Sequence, residues 1–289
     1  MLSRLFGLEK IKSKIRNFIG INLIKSLRDI FISYQTGNLQ KQHTNPLNSY
    51  GKKCFSQTDE DGITLEIIKR LKIDKGVFGE LGVGKGIENN TLILASLGWK
   101  GFWVGGEDLR FKFKNNSNFH FNKGWITKEN SLEFVNNGLT NIKANKIDLL
   151  SIDLDGNDIY ILDELISKIE PPKVIIVEYN SKFPPPVLFK IKYDPNHKWN
   201  VDDYFGASLS EFTNLMEKYS YKLVCCNSHT GSNAFFVKNE FSSLFEDVPK
   251  DIEKIYVGPR YHLYSELGNG HKQSIKTIER VFQKLEETN

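Results

Sequence analysis

The sequence is short of the residues that mark several protein classes. Its three cysteines, Cys54, Cys225 and Cys226, are an odd number with two adjacent, which excludes a disulfide framework and a CxxC zinc site. A reducing cytoplasm is the simplest setting for such a chain. No apolar run approaches the roughly 18 residues that span a bilayer. Lys10, Lys12, Lys14 and Arg16 break the apolar positions near the start, so no secretory leader is read there. Internal repeats and low-complexity tracts are also missing. So is a basic excess over most of the chain. Residues 1–53 carry ten Lys/Arg against Glu9 and Asp29, a local charge of +8, which leaves −4 on the other 236 residues. That distribution, together with the lack of an Asn/Asp-Pro-Pro-aromatic motif, argues against nucleic acid as a partner.

What is present suffices for a core: 39% of the 289 residues are hydrophobic. Residues 1–53 read as a basic helical leader and connector. Leu5, Leu8, Ile11, Ile15, Phe18, Ile19, Leu23, Leu27, Ile30 and Phe31 recur at helical steps, with a break near Gly20 and Asn22. Their basic opposite face suits a membrane surface, homo-oligomerisation through residues 1–45, or packing on the chain's own domain.

From 54 to 240 short β-rich runs alternate with helical stretches. Strands are expected at 76–81, 101–104, 118–121, 147–153 and 174–178, with helices at 58–72, 90–97, 128–137 and 158–169. Ser208 and Glu211 form a capping box for a further helix to Tyr219, and 221–226 and 233–238 read as a hairpin. Residues 241–289 form an extension with one helix near 273–287. This alternation predicts an α/β fold, a doubly wound, Rossmann-like, mainly parallel sheet with an antiparallel C-terminal hairpin.

The most informative motif is Gly79-Glu80-Leu81-Gly82-Val83-Gly84-Lys85-Gly86, a strand running into a loop with glycine at every second position. Glycine leaves the backbone open to a ligand. Ile87 stands where a dinucleotide loop wants its third glycine, and Glu80 would repel a pyrophosphate. A carboxylate there suits a cationic ligand such as the amino group of S-adenosylmethionine. The loop resembles the first motif of class I S-adenosylmethionine-dependent methyltransferases.

Further segments resemble the FkbM-like methyltransferases: Ser56-Gln57 with Glu60-Asp61-Gly62, Gly98-Trp99-Lys100-Gly101, Asp148 to Asp158, Val177-Glu178-Tyr179-Asn180 and Phe183-Pro184-Pro185-Pro186. The similarity covers roughly residues 54–238. It implies a methyltransferase domain over 54–240 that binds S-adenosylmethionine through Gln57, Asp61, Glu80, Gly82, Gly84, Gly86 and Asp153. It also implies O-methylation of a small-molecule acceptor, a sugar or sugar nucleotide, in polysaccharide or secondary-metabolite biosynthesis. Gly105 stands where such folds carry the acid that holds the ribose, so Glu107 or Asp108 is expected to reach back. The missing acid keeps open a non-catalytic binding or assembly protein of the same fold, and the loop leaves open an N-methyltransferase.

In a doubly wound sheet the ligand crevice lies beyond the carboxyl ends of the strands. Asp153, Asp155 and Glu178, with Asn180, are delivered there by two buried strands. These hard oxygen ligands suit Mg²⁺ or Mn²⁺. Asp155 and Glu178 are thus candidate catalytic residues, with Asp153 a third metal ligand. His197, in the long aromatic loop before Ser208, and His229 are candidate general bases. The aromatics of that loop suit stacking on a sugar face.

Overall fold

A computed structural model describes residues 20, 23, 26–28, 30–260 and 271–287. Cα packing divides the chain into two units, Met1–Gln42 and His43–Asn289. In the first, residues 30–42 are helical, and Leu23, Leu27, Ile30, Phe31 and Tyr34 are exposed. The helical stretch expected before Gly20 lies outside the described residues, as does Asn22, while Gly20 itself, where a break was expected, is helical. None of the described helices is long and apolar enough to cross a membrane.

The second unit is built on one seven-stranded sheet: β1 (Val77–Leu81), β2 (Lys100–Gly105), β3 (Phe119–Lys123), β4 (Leu149–Ile152), β5 (Val174–Glu178), β6 (Tyr221–Cys226) and β7 (Asn233–Lys238). Their order is β3-β2-β1-β4-β5-β7-β6. The pairs β1–β2, β1–β4, β2–β3 and β4–β5 are parallel, while β7 runs antiparallel to both β5 and β6. The sheet is the doubly wound one expected, hairpin included. β4 is buried throughout and β5 along Val174–Val177, which is why both read as unbroken apolar runs.

Helices α1 (Glu60–Arg70), α2 (Leu92–Ser96), α3 (Ser131–Asn141), α4 (Asp158–Ile166) and α5 (Leu209–Lys218) surround the sheet, followed by α6 (Ile252–Ile255) and α7 (Ile275–Glu287). Their local causes are legible. Ser208 accepts from the Glu211 amide at the start of α5, as the capping box requires. Gly138 lets α3 settle on Phe102, whose ring would lie 2.3 Å from a Cβ at that position.

The boundary expected after Lys53 falls at Gln42 instead. Asn45 and Asn48 are buried and donate to the carbonyls of Val224 and Cys226, which ties residues 43–53 to β6. Residues beyond 241 likewise belong to the second unit. Phe245, Val248, Ile255 and Val257 are core residues, and Ser274 and Thr277 of the α7 start donate to buried Asp203.

Candidate active site

Register places the site. Glu80 lies opposite Trp103 of β2 and Ser151 of β4, so these strands end level and the Gly82 loop turns beside Asp153. Gly82 has φ +94°, and a Cβ there would sit 1.6 Å from the Asp153 carbonyl oxygen. Gly84 has φ +49°, and a Cβ there would meet nothing within 4 Å. The first glycine permits a backbone crossing; the second leaves open space.

That space is a crevice of two adjoining hollows, about 240 and 350 Å³, at the carboxyl ends of β1, β2 and β4. Gly82, Gly84, Glu107, Asp153 and Asp155 line both. The first hollow adds Gly105, Trp125, Ile126, Leu154, Ile161 and His197. The second adds Gln57, Glu80, Asn89, Asn90, Glu178 and Asn233.

Asp153, Asp155 and Glu178 meet as expected, each offering an oxygen within 4.8 Å of the others'. Burial raises the pKa of Asp153 and Glu178 well above the carboxylate range, and repulsion among Asp153, Asp155 and Asp158 adds to it. Burial also raises Asp155, whose backbone is held at φ +53°, a sparsely populated conformation for a non-glycine residue. Asp158 fixes that turn by accepting from the Leu154 and Gly156 amides, and burial lifts its own pKa to about 6. The Oε2 atom of Glu178 is buried without a hydrogen-bond partner. His197 packs over Gly156, with its Nε2 buried and unpartnered, and burial lowers its pKa.

Other expected residues are placed differently. Glu80 accepts from the amides of Asn90 and Thr91 and from the Thr91 hydroxyl, so its carboxylate caps the start of α2 while one edge faces the crevice. Asp61 gathers the amides of Cys54, Phe55 and Ser56 and the Ser56 hydroxyl; it shapes the segment leading to Gln57 and does not line the crevice. Gly86 is enclosed by Leu109, Phe111 and Trp103, not by ligand space. Of the two acids near Gly105, Glu107 lines the crevice beside Lys85, whereas Asp108 turns out to Lys123 at 2.6 Å. Gly105 is needed for packing, because a Cβ there would press on Val83 at 2.8 Å. His229 is absent from the lining; its amide donates to Asp59. Asn180 is committed to the carbonyls of Asp203 and Phe205, which removes it from the acid cluster.

The aromatics of the 181–207 loop pack on the protein. Tyr193 packs at a tilt against Tyr160, Trp199 at a tilt against Phe205 and edge-on to His271, and Phe183 stacks on Phe189 at 4.0 Å. The exposed aromatic in the crevice is Trp125, held by its indole to the Pro195 carbonyl and overlain by Lys198. Trp125, Asn90 and Asn233 escaped the sequence reading. The last two join the crevice to buried Glu60: Asn90 donates to Ser151 and Asn233, and Asn233 to Glu60. A tryptophan just past an edge strand was the only available signal.

No protein-family model and no curated protein matches the chain. Among solved structures it is similar to a precorrin-6y C5,15-methyltransferase from Geobacter metallireducens, with 12% identity, 65% of this chain and 92% of that one, and a TM-score of 0.35. A putative S-adenosylmethionine-dependent methyltransferase from Listeria monocytogenes gives 11% identity, 60% and 97% coverage, and 0.34. A putative hemolysin from Lactococcus lactis gives 13%, 81% and 100%, and 0.39. At such scores the likenesses bear no functional weight, and the site rests on its own geometry.

Proposed function

We propose that the protein is an S-adenosylmethionine-dependent methyltransferase that methylates an oxygen of a small carbohydrate-like or nucleotide-linked acceptor, in polysaccharide or secondary-metabolite biosynthesis in the cytoplasm. One observation carries the reading. At Gly84 the loop backbone faces open crevice space with no side chain to fill it, opposite the wall of Asp153, Asp155 and His197. Ile126, Leu154, Ile161 and the Trp125 ring make an apolar hollow suited to adenine, and Glu107 beside it suits the ribose hydroxyls. Gln57, Asn89 and Asn90 in the second hollow suit the amino-acid end. When bound, S-adenosylmethionine supplies an electrophilic methyl group.

Three carboxylates so close need a cation or shared protons. Their hard oxygens, with the unpartnered Glu178 Oε2, fit Mg²⁺ or Mn²⁺, which would lower the pKa of an acceptor hydroxyl. Asp155 and Glu178 orient that hydroxyl. His197, kept neutral near pH 7 by burial, takes its proton at Nε2 as the oxygen–carbon bond forms. Holding the partners in line is the larger part of such catalysis.

The test is S-adenosylhomocysteine release from purified protein with a panel of sugars, sugar nucleotides and small amines, with and without chelator. The reading expects turnover on a hydroxyl acceptor, suppressed by chelation and restored by Mg²⁺ or Mn²⁺. Turnover on amines alone would make it an N-methyltransferase, and full activity in excess chelator would remove the metal.

A further inference from the structure

A second, larger hollow of about 1100 Å³ lies over β1–β3 and runs to the amino ends of these strands, away from the crevice. Its origin is topological. The other crossovers between parallel strands carry α2, α3 or α4, but residues 106–118, which join β2 to β3, carry no helix. Neighbouring side chains on a strand face opposite sides of the sheet. Phe102 meets α3 at Gly138, so Trp103 faces the other way, onto the side that lacks its helix. There Phe119 and the buried rings of Trp103 and Trp99 underlie an open groove, with half-exposed Phe111 and Phe113 as its wall.

The groove is polarised. Its amino-terminal end holds Lys75 before β1, Lys100 at the start of β2, and Lys143 and Lys146 between α3 and β4. Its acid, Asp148, is engaged by Lys173 at 2.8 Å and by the Val77 amide. Lys146 pairs with Glu170, and Lys100 donates to the Ile142 carbonyl. Lys75 and Lys143 are exposed, and their ammonium groups have no hydrogen-bond or ion-pair partner among the described residues. The aromatic end is the β3 side: Phe119 starts β3 level with Gly101, Phe113 meets it edge-on at 5.1 Å, and Phe111 reaches the glycine loop, 3.1 Å from where a Gly86 Cβ would lie. Arg110, Lys112 and Lys114, which alternate with these two rings, are exposed and outside the lining.

We propose that this groove binds a single-chain lipid anion, with its phosphate or carboxylate head at Lys75 and Lys143 and its chain along the aromatic floor. Charge gathered at one end of an apolar trough matches an amphiphile. The trough is concave, which suits one molecule, whereas a bilayer surface is met by apolar side chains that protrude.

The test uses dodecyl phosphate below its micelle-forming concentration, titrated calorimetrically into the full-length protein. Tryptophan fluorescence is followed in parallel, because Trp99 and Trp103 line the groove. Saturable binding of one molecule is expected, with zwitterionic dodecyl phosphocholine and inorganic phosphate each about tenfold weaker or more. Lys75→Glu combined with Lys143→Glu, both at exposed positions that spare the fold, should weaken dodecyl phosphate by at least about tenfold while circular dichroism is unchanged. No saturable binding, equal affinity for the zwitterion, or undiminished affinity in the folded double variant would overturn the assignment.

Discussion

At Gly82 a side chain would collide with the Asp153 carbonyl, whereas at Gly84 it would enter the crevice. The two positions therefore separate folding from binding. Gly84→Val should leave a folded protein, destabilised by about 1–3 kcal/mol for a left-handed β-branched residue, that no longer binds S-adenosylmethionine. Thermal melting and calorimetry check the two halves, and retained affinity would move the cofactor elsewhere. His197→Ala should lower kcat by about 10²–10⁴-fold with cofactor affinity intact, and its pH–rate profile should lose the acid limb that a neutral imidazole imposes. The three acids were legible because each ends, or follows within three residues of, an apolar run that can only be a buried strand. Trp125, Asn90 and Asn233 were not, because their place depends on how β3, β7 and the start of α2 come together. Asp61 and Asp108 have the right residue type for cofactor contacts, and local hydrogen bonds or a neighbouring lysine claim them first.

Elements constrain the site through what they pack against. Gly105→Asp would place a carboxylate at the end of β2, beside the crevice. Its Cβ would nonetheless sit 2.8 Å from Val83 Cγ2, and Val83 belongs to the glycine loop. The variant should therefore bind S-adenosylmethionine more weakly, and tighter binding would show that the loop yields. At the start of α1, burial and then repulsion from Asp59 raise the pKa of Glu60 from 4.5 to about 7. Between those values the folded state holds a proton that the unfolded chain has released, so stability falls as pH rises through the window. Glu60→Gln should lessen that slope in denaturant midpoints measured between about pH 5 and 7, leaving the share that Asp158, Asp153 and Glu178 contribute with the same sign. Strand and helix order was readable from the alternation of apolar runs and caps. The link between β2 and β3 was likewise read without a helix, because the 106–118 segment lacks a strong period, and the structure has none there. The roles of 43–53 and 241–260 were hidden, since their anchors are single buried side chains such as Asn45, Asn48 and Val257.

On the scale of the whole molecule, the crevice residues all fall within His43–Asn289, and the basic excess is concentrated in the N-terminal residues. Removing residues 1–42 should leave cofactor affinity within about twofold, because every lining residue and its hydrogen-bond partners remain. Any change in oligomeric mass or vesicle binding on truncation would then report the separate role of that segment. The central claim is that the Gly82–Gly84 loop and the facing acids form an S-adenosylmethionine site. Calorimetric titration of the full-length protein with S-adenosylhomocysteine tests it most directly. The account predicts one saturable site, lost in Gly84→Val and retained in His197→Ala, and the absence of any binding by the folded wild-type protein would contradict it.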